Sequence, residues 1–333
     1  MDIVGQTINV QTKSGFNRVI ELVRSAVYGD ILAMAKVCNL HLPSYPFAEI
    51  ILNVKQLLDQ AAYLWNREKI DPQVKIRTAP DDPPAPRVNK TLRIGIYPVA
   101  ANPFHWAHML AGLSALVRFK LDKIVYIISG SDTRKPSLIS PEIRHFMGKE
   151  VLSMFMPLFD YSSIAMGSHA DGETNMFKIL ALNPVQKIDA FYIVGADHYH
   201  RINPETGRAD TIQKIEEHLE KNTCNIDTAF HSVSIIFIER GTRKHTVATD
   251  IPIAFIPEMP FVASSTILRE AFQEKRGIET LALMPYTAYR YAMELGLYSS
   301  GNPPLTLHRQ YTQPAPHTGS CHKLAPHNCM EFL

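Results

Sequence analysis

The run Tyr97-Pro-Val-Ala-Ala-Asn-Pro-Phe-His-Trp-Ala-His108 sets two histidines, His105 and His108, at i and i+3. An amphipathic pattern follows at once (Met109, Leu110, Leu113, Leu116, Val117), so His108 falls in the first turn of a helix. Open backbone N–H groups and the positive end of the helix dipole make that turn an anion site, and a phosphate fits it. The small pair Ala100-Ala101 lets the backbone come close. Read alone, the two rings serve equally as helix caps or packing residues, and with no carboxylate nearby they make a weak metal pair. A second run, Phe261-Val-Ala-Ser-Ser-Thr-Ile-Leu-Arg269, also opens a helix. Ser264 suits the N-cap, and Ser265 and Thr266 then occupy the first turn. Arg269 lies one turn on and on the same side, with a planar fork suited to polyphosphate. Its alternative is an ordinary capped helix with a surface arginine. Four cysteines, Cys38, Cys224, Cys321 and Cys329, are too few and too scattered for a disulfide framework and point to a reducing compartment. Cys321-His322 and His327-x-Cys329 match no common zinc spacing and read as incidental tail residues rather than as a zinc site.

Strands and helices must hold these runs in place. Strands are expected at Leu92–Ile96, Lys123–Ile128, Ser162–Met166, Ala190–Val194, Val233–Ile238 and Ile253–Ile256. Helices fill the gaps at 107–120, 140–156, 174–182, 211–221, 265–275 and 286–296. The alternation predicts an α/β fold: a Rossmann-like parallel sheet with helices on both faces and right-handed crossovers. Ligands of such sheets sit at the carboxyl ends of strands, which is where both runs lie. Before it, Phe16, Val19, Ile20, Val23, Val27 and Ile31, then Phe47, Ile50, Ile51, Val54, Leu58, Ala61 and Trp65, predict an N-terminal helical hairpin with one apolar face. The expected organisation is a helical extension over 1–70, a Pro-rich linker over 71–90, the main domain over 91–300 and a disordered tail over 301–333. The apolar face needs a cover: the main domain, a partner, or a second copy in a homo-oligomer. With 34 basic and 32 acidic residues the net charge is only +2, against a chain held to nucleic acid or membrane by bulk charge. No apolar run is long enough to span a bilayer and no leader pattern opens the chain, so a cytoplasmic location is expected.

Taken in order, these runs resemble the nucleotidyltransferase superfamily with an H-x-G-H motif, and within it the nicotinate/nicotinamide mononucleotide adenylyltransferase family. Asn102-Pro-Phe-His-Trp-Ala-His108 is similar to that family's N-P-x-H-x-G-H, and Ser264-Ser-Thr-x-x-Arg269 to its second phosphate motif. Lys135-Pro136 resembles its basic loop, Arg144-His-Phe-Met147 its R-x-x-M, Glu173-Thr-Asn175 its substrate segment and Gly195-Ala-Asp197 its G-x-D. Leu283-Met-Pro285 and the run Tyr291 to Tyr298 resemble its closing L-x-P and tyrosine segment. The likeness covers about residues 91–298. It implies transfer of the adenylyl group of ATP to a pyridine mononucleotide, giving a dinucleotide and pyrophosphate. His105, His108, Arg269 and Lys135 are then the catalytic set. Ala100, Ala101, Asn102, Gly195, Asp197, Ser264, Ser265 and Thr266 bind ATP, with Asp197 on the ribose or merely capping the next segment. Thr174 and Asn175 contact the mononucleotide. Mg²⁺ arrives with ATP, and no protein metal ligand is implied. A sibling transferase with another acceptor, or a nucleotide-binding module without turnover, are the alternatives. Val99-Ala100-Ala101 stands where the family has Gly-Ser/Thr-Phe, and Ala107 where it has Gly; a positive φ at Val99 would strain that β-branched residue.

Overall fold

The computed structural model describes residues 13–42, 44–131, 138–239, 249–256, 263–274 and 277–299. Among these residues six parallel strands form one sheet: β1 (Leu92–Val99), β2 (Lys123–Ile128), β3 (Phe159–Ser162), β4 (Ile188–Gly195), β5 (His231–Ile238) and β6 (Ile253–Ile256). Their order is β3-β2-β1-β4-β5-β6, the doubly wound arrangement. Every residue of β2 is buried, as a strand covered on both faces requires. The helices are α1 (Lys13–Cys38), α2 (Phe47–Asn66), α3 (Trp106–Phe119), α4 (Pro141–Ser153), α5 (Gly172–Ala181), α6 (Ala196–His200), α7 (Asp210–Lys221), α8 (Ser265–Glu274), α9 (Ile278–Leu281) and α10 (Tyr286–Glu294). One apolar layer joins α1 to α4, α8 and α10 on one sheet face; a second joins α5 to α7 on the other. No helix among the described residues is long and apolar enough to cross a membrane.

The third strand lies earlier than its apolar pattern suggested. Phe159 to Ser162 pair with Ile124 to Ile127, and Ile164, Ala165 and Met166 enter a turn closed by Met166 N–H on the Ser163 carbonyl (2.8 Å). The helical hairpin is present, and the main domain covers it. Ile20, Val27, Ile31, Phe47, Val54 and Leu58, each at most 1% exposed, share a core with Leu110, Leu113 and Leu116 of α3. Asp30 of α1 closes the join: its carboxylate accepts from the N–H groups of Tyr286 (2.7 Å) and Thr287 (2.8 Å) and from the Thr287 hydroxyl (2.6 Å). It caps α10, whose own N-cap, Pro285, makes no side-chain cap bond. The Pro-rich stretch between hairpin and sheet is laced to the domain by side-chain amides. Asn183 exchanges two hydrogen bonds with the Arg77 backbone (2.9 and 2.8 Å), and Gln186 two with Val88 (3.1 and 3.3 Å). Val74 and Ile76 are buried in the second apolar layer. The tail lies outside the described residues.

Candidate nucleotide site

β1 is the central strand where the order reverses, so its carboxyl end opens onto the crevice of the sheet. The chain leaves it through Ala100 and Ala101 into α3. The positive φ falls at Ala101 (+50°), while Val99 ends the strand and is not among the positive-φ residues. The strain expected at Val99 therefore moves two residues on, where alanine bears it more easily than a β-branched side chain.

His105 is the N-cap of α3 and His108 its third residue. They form a reciprocal cap: the His105 ring accepts from the His108 N–H, and the His105 N–H donates to His108 Nδ1 at 3.3 Å. The rings stack with centroids 3.7 Å apart, and His105 is buried. The Trp106 N–H is taken by the Leu283 carbonyl (2.9 Å). Fewer N–H groups are thus open at this helix end than the sequence suggested, because the two rings and the Leu283-Met-Pro285 segment fill them. From below, the buried Tyr126 hydroxyl donates to the His108 carbonyl (3.0 Å) and fixes the first turn.

The second run closes on the first. Ser264 caps α8 by accepting from the Ile267 N–H (3.2 Å), and the Ser265 hydroxyl donates to the Pro103 carbonyl (2.9 Å). Arg269 donates to the Asn102 carbonyl (2.7 Å) and to the Thr266 hydroxyl (3.1 Å). Asn102 Oδ1 in turn accepts from the Ile139 N–H and the Tyr298 hydroxyl, both at 3.3 Å. Two runs about 160 residues apart in the chain are therefore one structure, with His105, His108, Ser265, Thr266 and Arg269 around one loop.

Arg144, 0% exposed, sets the floor beside that loop. It donates to the carbonyls of Ile139 (3.0 Å), Ala100 (2.8 Å), Ser129 (2.7 Å) and Gly130 (2.7 Å) and to the Ser129 hydroxyl (3.0 Å). One guanidinium so joins the loops after β1 and β2, and its fixed fork of donors is what such convergent acceptors need. At Gly130 an added Cβ would lie 2.0 Å from the Ser168 carbonyl oxygen, so the wall admits no side chain there. Beside it His145 bonds Tyr161 (Nδ1 to hydroxyl, 2.6 Å). Burial, and then the Arg144 charge, depress its pKa to about 4, so the ring is neutral near pH 7.

On the α5 side of β1 the same wall bounds a cavity of about 580 Å³. Ala100, Ser129 and Gly130 line one side; Asp171, Glu173 and Asn175 line the other, with Tyr192, Asp210 and Lys214. Asp171 caps α5 by accepting from the Thr174 N–H (2.9 Å) and pairs with Lys214 (3.3 Å). Glu173 is buried, which raises its pKa, and accepts from the Thr211 hydroxyl (3.0 Å). Asn175, 1% exposed, reaches the cavity, whereas the Thr174 hydroxyl meets His218 of α7 (3.2 Å) and lines none of it. Gly195 is the N-cap of α6, and Asp197 in its first turn is half exposed, with His198 at 3.9 Å. Lys135 lies outside the described residues. Tyr126 was not marked by the sequence, and Arg144 and Glu173 stood in motifs without a role, since their partners are main-chain carbonyls or residues far along the chain.

No family model matches the chain. A protein of Clostridium tetani named probable nicotinate-nucleotide adenylyltransferase is 27% identical over 208 residues, 59% of this chain and 94% of its own length. One of the same name from Maridesulfovibrio salexigens is 23% identical over 202 residues, 57% of this chain and 90% of its own. Among solved structures, the chain aligns with Plasmodium falciparum nicotinic acid mononucleotide adenylyltransferase in complex with NaAD at a TM-score of 0.45 and 17% identity, covering 62% of this chain and 97% of that one. The complex of the same enzyme with APC gives 0.44 and 15%, with the same coverage.

Proposed function

Taking its likeness to the nicotinate/nicotinamide mononucleotide adenylyltransferase family as the premise, we propose that this chain joins the adenylyl group of ATP to a pyridine mononucleotide. The observation that carries the reading is the clasp of the two phosphate-type runs at the strand-order reversal, Arg269 on Asn102 and Ser265 on Pro103, beside a cavity of about 580 Å³. The two curated relatives, matched over nearly their whole length, support the same assignment.

In this reading the 5′-phosphate of the mononucleotide attacks the α-phosphorus of ATP in line. The bond to the bridging oxygen of the β-phosphate breaks, and pyrophosphate leaves. A phosphate monoester is largely dianionic near pH 7, so no strong base is needed, and catalysis rests on position and charge. His105 and His108 exchange their mutual cap for phosphate oxygens, whose charge grows in the transition state. Arg269, Ser265 and Thr266 hold the departing β- and γ-phosphates, and Asp197 takes the ribose hydroxyls. The substrate is MgATP, its cation carried on phosphates and water.

The test is to incubate the protein with ATP, Mg²⁺ and each mononucleotide and to detect dinucleotide and pyrophosphate. ATP binding without either product would overturn the reading in favour of a regulatory nucleotide binder. His108→Ala is expected to lower kcat by about 10²–10³-fold while circular dichroism stays unchanged. An unaltered rate in the folded variant would remove His108 from the phosphate site.

A further inference from the structure

Tyr126 stands on β2 in register with Tyr97 of β1, and both rings enter the apolar layer that α3 shares. It is 0% exposed, and its hydroxyl donates to the His108 carbonyl at 3.0 Å. In an α-helix that carbonyl already serves the N–H four residues on, here Gly112, so the tyrosine takes its second lone pair. Gly112 makes the approach possible. It lies inside α3 and is not among the positive-φ glycines, so no backbone conformation calls for it. A Cβ there would sit 2.1 Å from the Tyr126 hydroxyl oxygen. Glycine weakens a helix interior relative to alanine, and at this point it leaves the gap that the hydroxyl fills.

The same residue supports the His108 side chain. The Tyr126 ring lies 5.2 Å from Tyr97 and 6.2 Å from Phe104, centroid to centroid. Those two rings in turn meet the His108 imidazole edge-on, at 6.5 and 5.4 Å. Tyr126 therefore reaches the backbone of His108 directly and its ring through two neighbours. This hold matters most when a phosphate arrives. The bond from the His105 N–H to His108 Nδ1 is then given up, whereas the bond from Tyr126 comes from the core side and stays.

Resting on the adenylyltransferase reading, we propose that Tyr126 is a positioning residue for the transfer. Its hydroxyl, admitted by Gly112, fixes the first turn of α3 so that His108 meets the phosphate in one orientation. Contacts made in the transition state depend steeply on such placement, so the effect belongs to kcat.

Two measurements on the full chain test this. One is initial rates with MgATP and nicotinate or nicotinamide mononucleotide, whichever the wild type uses. The other is histidine-ring NMR without substrate, the His108 signal being the one that His108→Ala removes. Tyr126→Phe, which deletes one oxygen, is expected to lower kcat by about tenfold and to leave both KM values in place. It should also shift or broaden the His108 signal. Gly112→Ala drives the hydroxyl away and should lower kcat and Tm together. Gly112→Ala combined with Tyr126→Phe removes that clash and should regain Tm while kcat stays low. A hydroxyl that only stabilises the core would let kcat recover with Tm, which overturns the proposal. So does an unchanged kcat in Tyr126→Phe, or an equal fold loss when that substitution is made in His108→Ala. No dinucleotide from the wild type defeats the adenylyl-transfer reading, and the His108 signal then decides the positioning by itself.

Discussion

At the scale of single residues, buried Arg144 and His145 act as a pair. The guanidinium ties Ala100 to Ser129 and Gly130, and the imidazole beside it stays neutral because burial and that cation oppose its proton. Its pKa is about 4 in the fold against 6.5 in the unfolded chain. Between those values the unfolded chain holds a proton that the folded chain refuses, so stability falls as pH drops from about 6.5 toward 4. At pH 5 the loss from this group is about 2 kcal/mol relative to pH 7.5. His145→Gln, which keeps an acceptor for Tyr161, is expected to flatten that part of the urea-unfolding pH profile, and an unchanged slope would contradict it. The histidine pair and the serine–arginine run were legible from residue type and spacing. Their mutual contacts were not, since nothing in a local window says that Arg269 reaches the Asn102 carbonyl. Arg144 was visible as part of a motif, but its partners are backbone oxygens, which every residue carries.

Elements show the same division. β2 and β6 fall where continuous apolar runs predict them, and α7 and α8 within a residue of their periodic patterns. β3 does not, because Ile164 and Met166 read as strand by type, and only pairing with β2 reveals the true register. The four- and five-residue helices α9 and α6 are too short for a helical period to register. The hairpin was legible as an apolar stripe, whereas its cover was not. Asp30 looks like a surface acid in a helix interior, yet it caps a helix 256 residues away. Asp30→Ala leaves the Tyr286 and Thr287 N–H groups unanswered and is expected to lower stability by about 1–3 kcal/mol in urea. Asp30→Asn, which keeps one acceptor oxygen, should lose less. Equal stability of all three proteins would mean that α10 needs no cap from α1. The damage should also reach the site, because Leu283, just before α10, holds the first N–H of α3.

On the scale of the whole molecule, the hairpin and the sheet share one apolar layer, so residues 13–66 complete the domain rather than decorate it. Their place ahead of the sheet in the chain order then matters during synthesis. The hairpin is made before the sheet, and its partner at Tyr286 follows 256 residues after Asp30. At ordinary translation rates that is a wait of roughly 13–50 s, with α3 emerging early in it and α10 only at its end. Through that interval the stripe of Ile20, Val27, Phe47 and Leu58 is at best half covered, an obvious hold for a chaperone. Ribosome-bound chains stalled before residue 286 are expected to be cut readily by trypsin within α1 and α2. Chains stalled far enough beyond residue 299 to free α10 from the exit tunnel should resist. Protection already present in the shorter chains would show that the hairpin closes on α3 alone, and that α10 arrives at a finished surface.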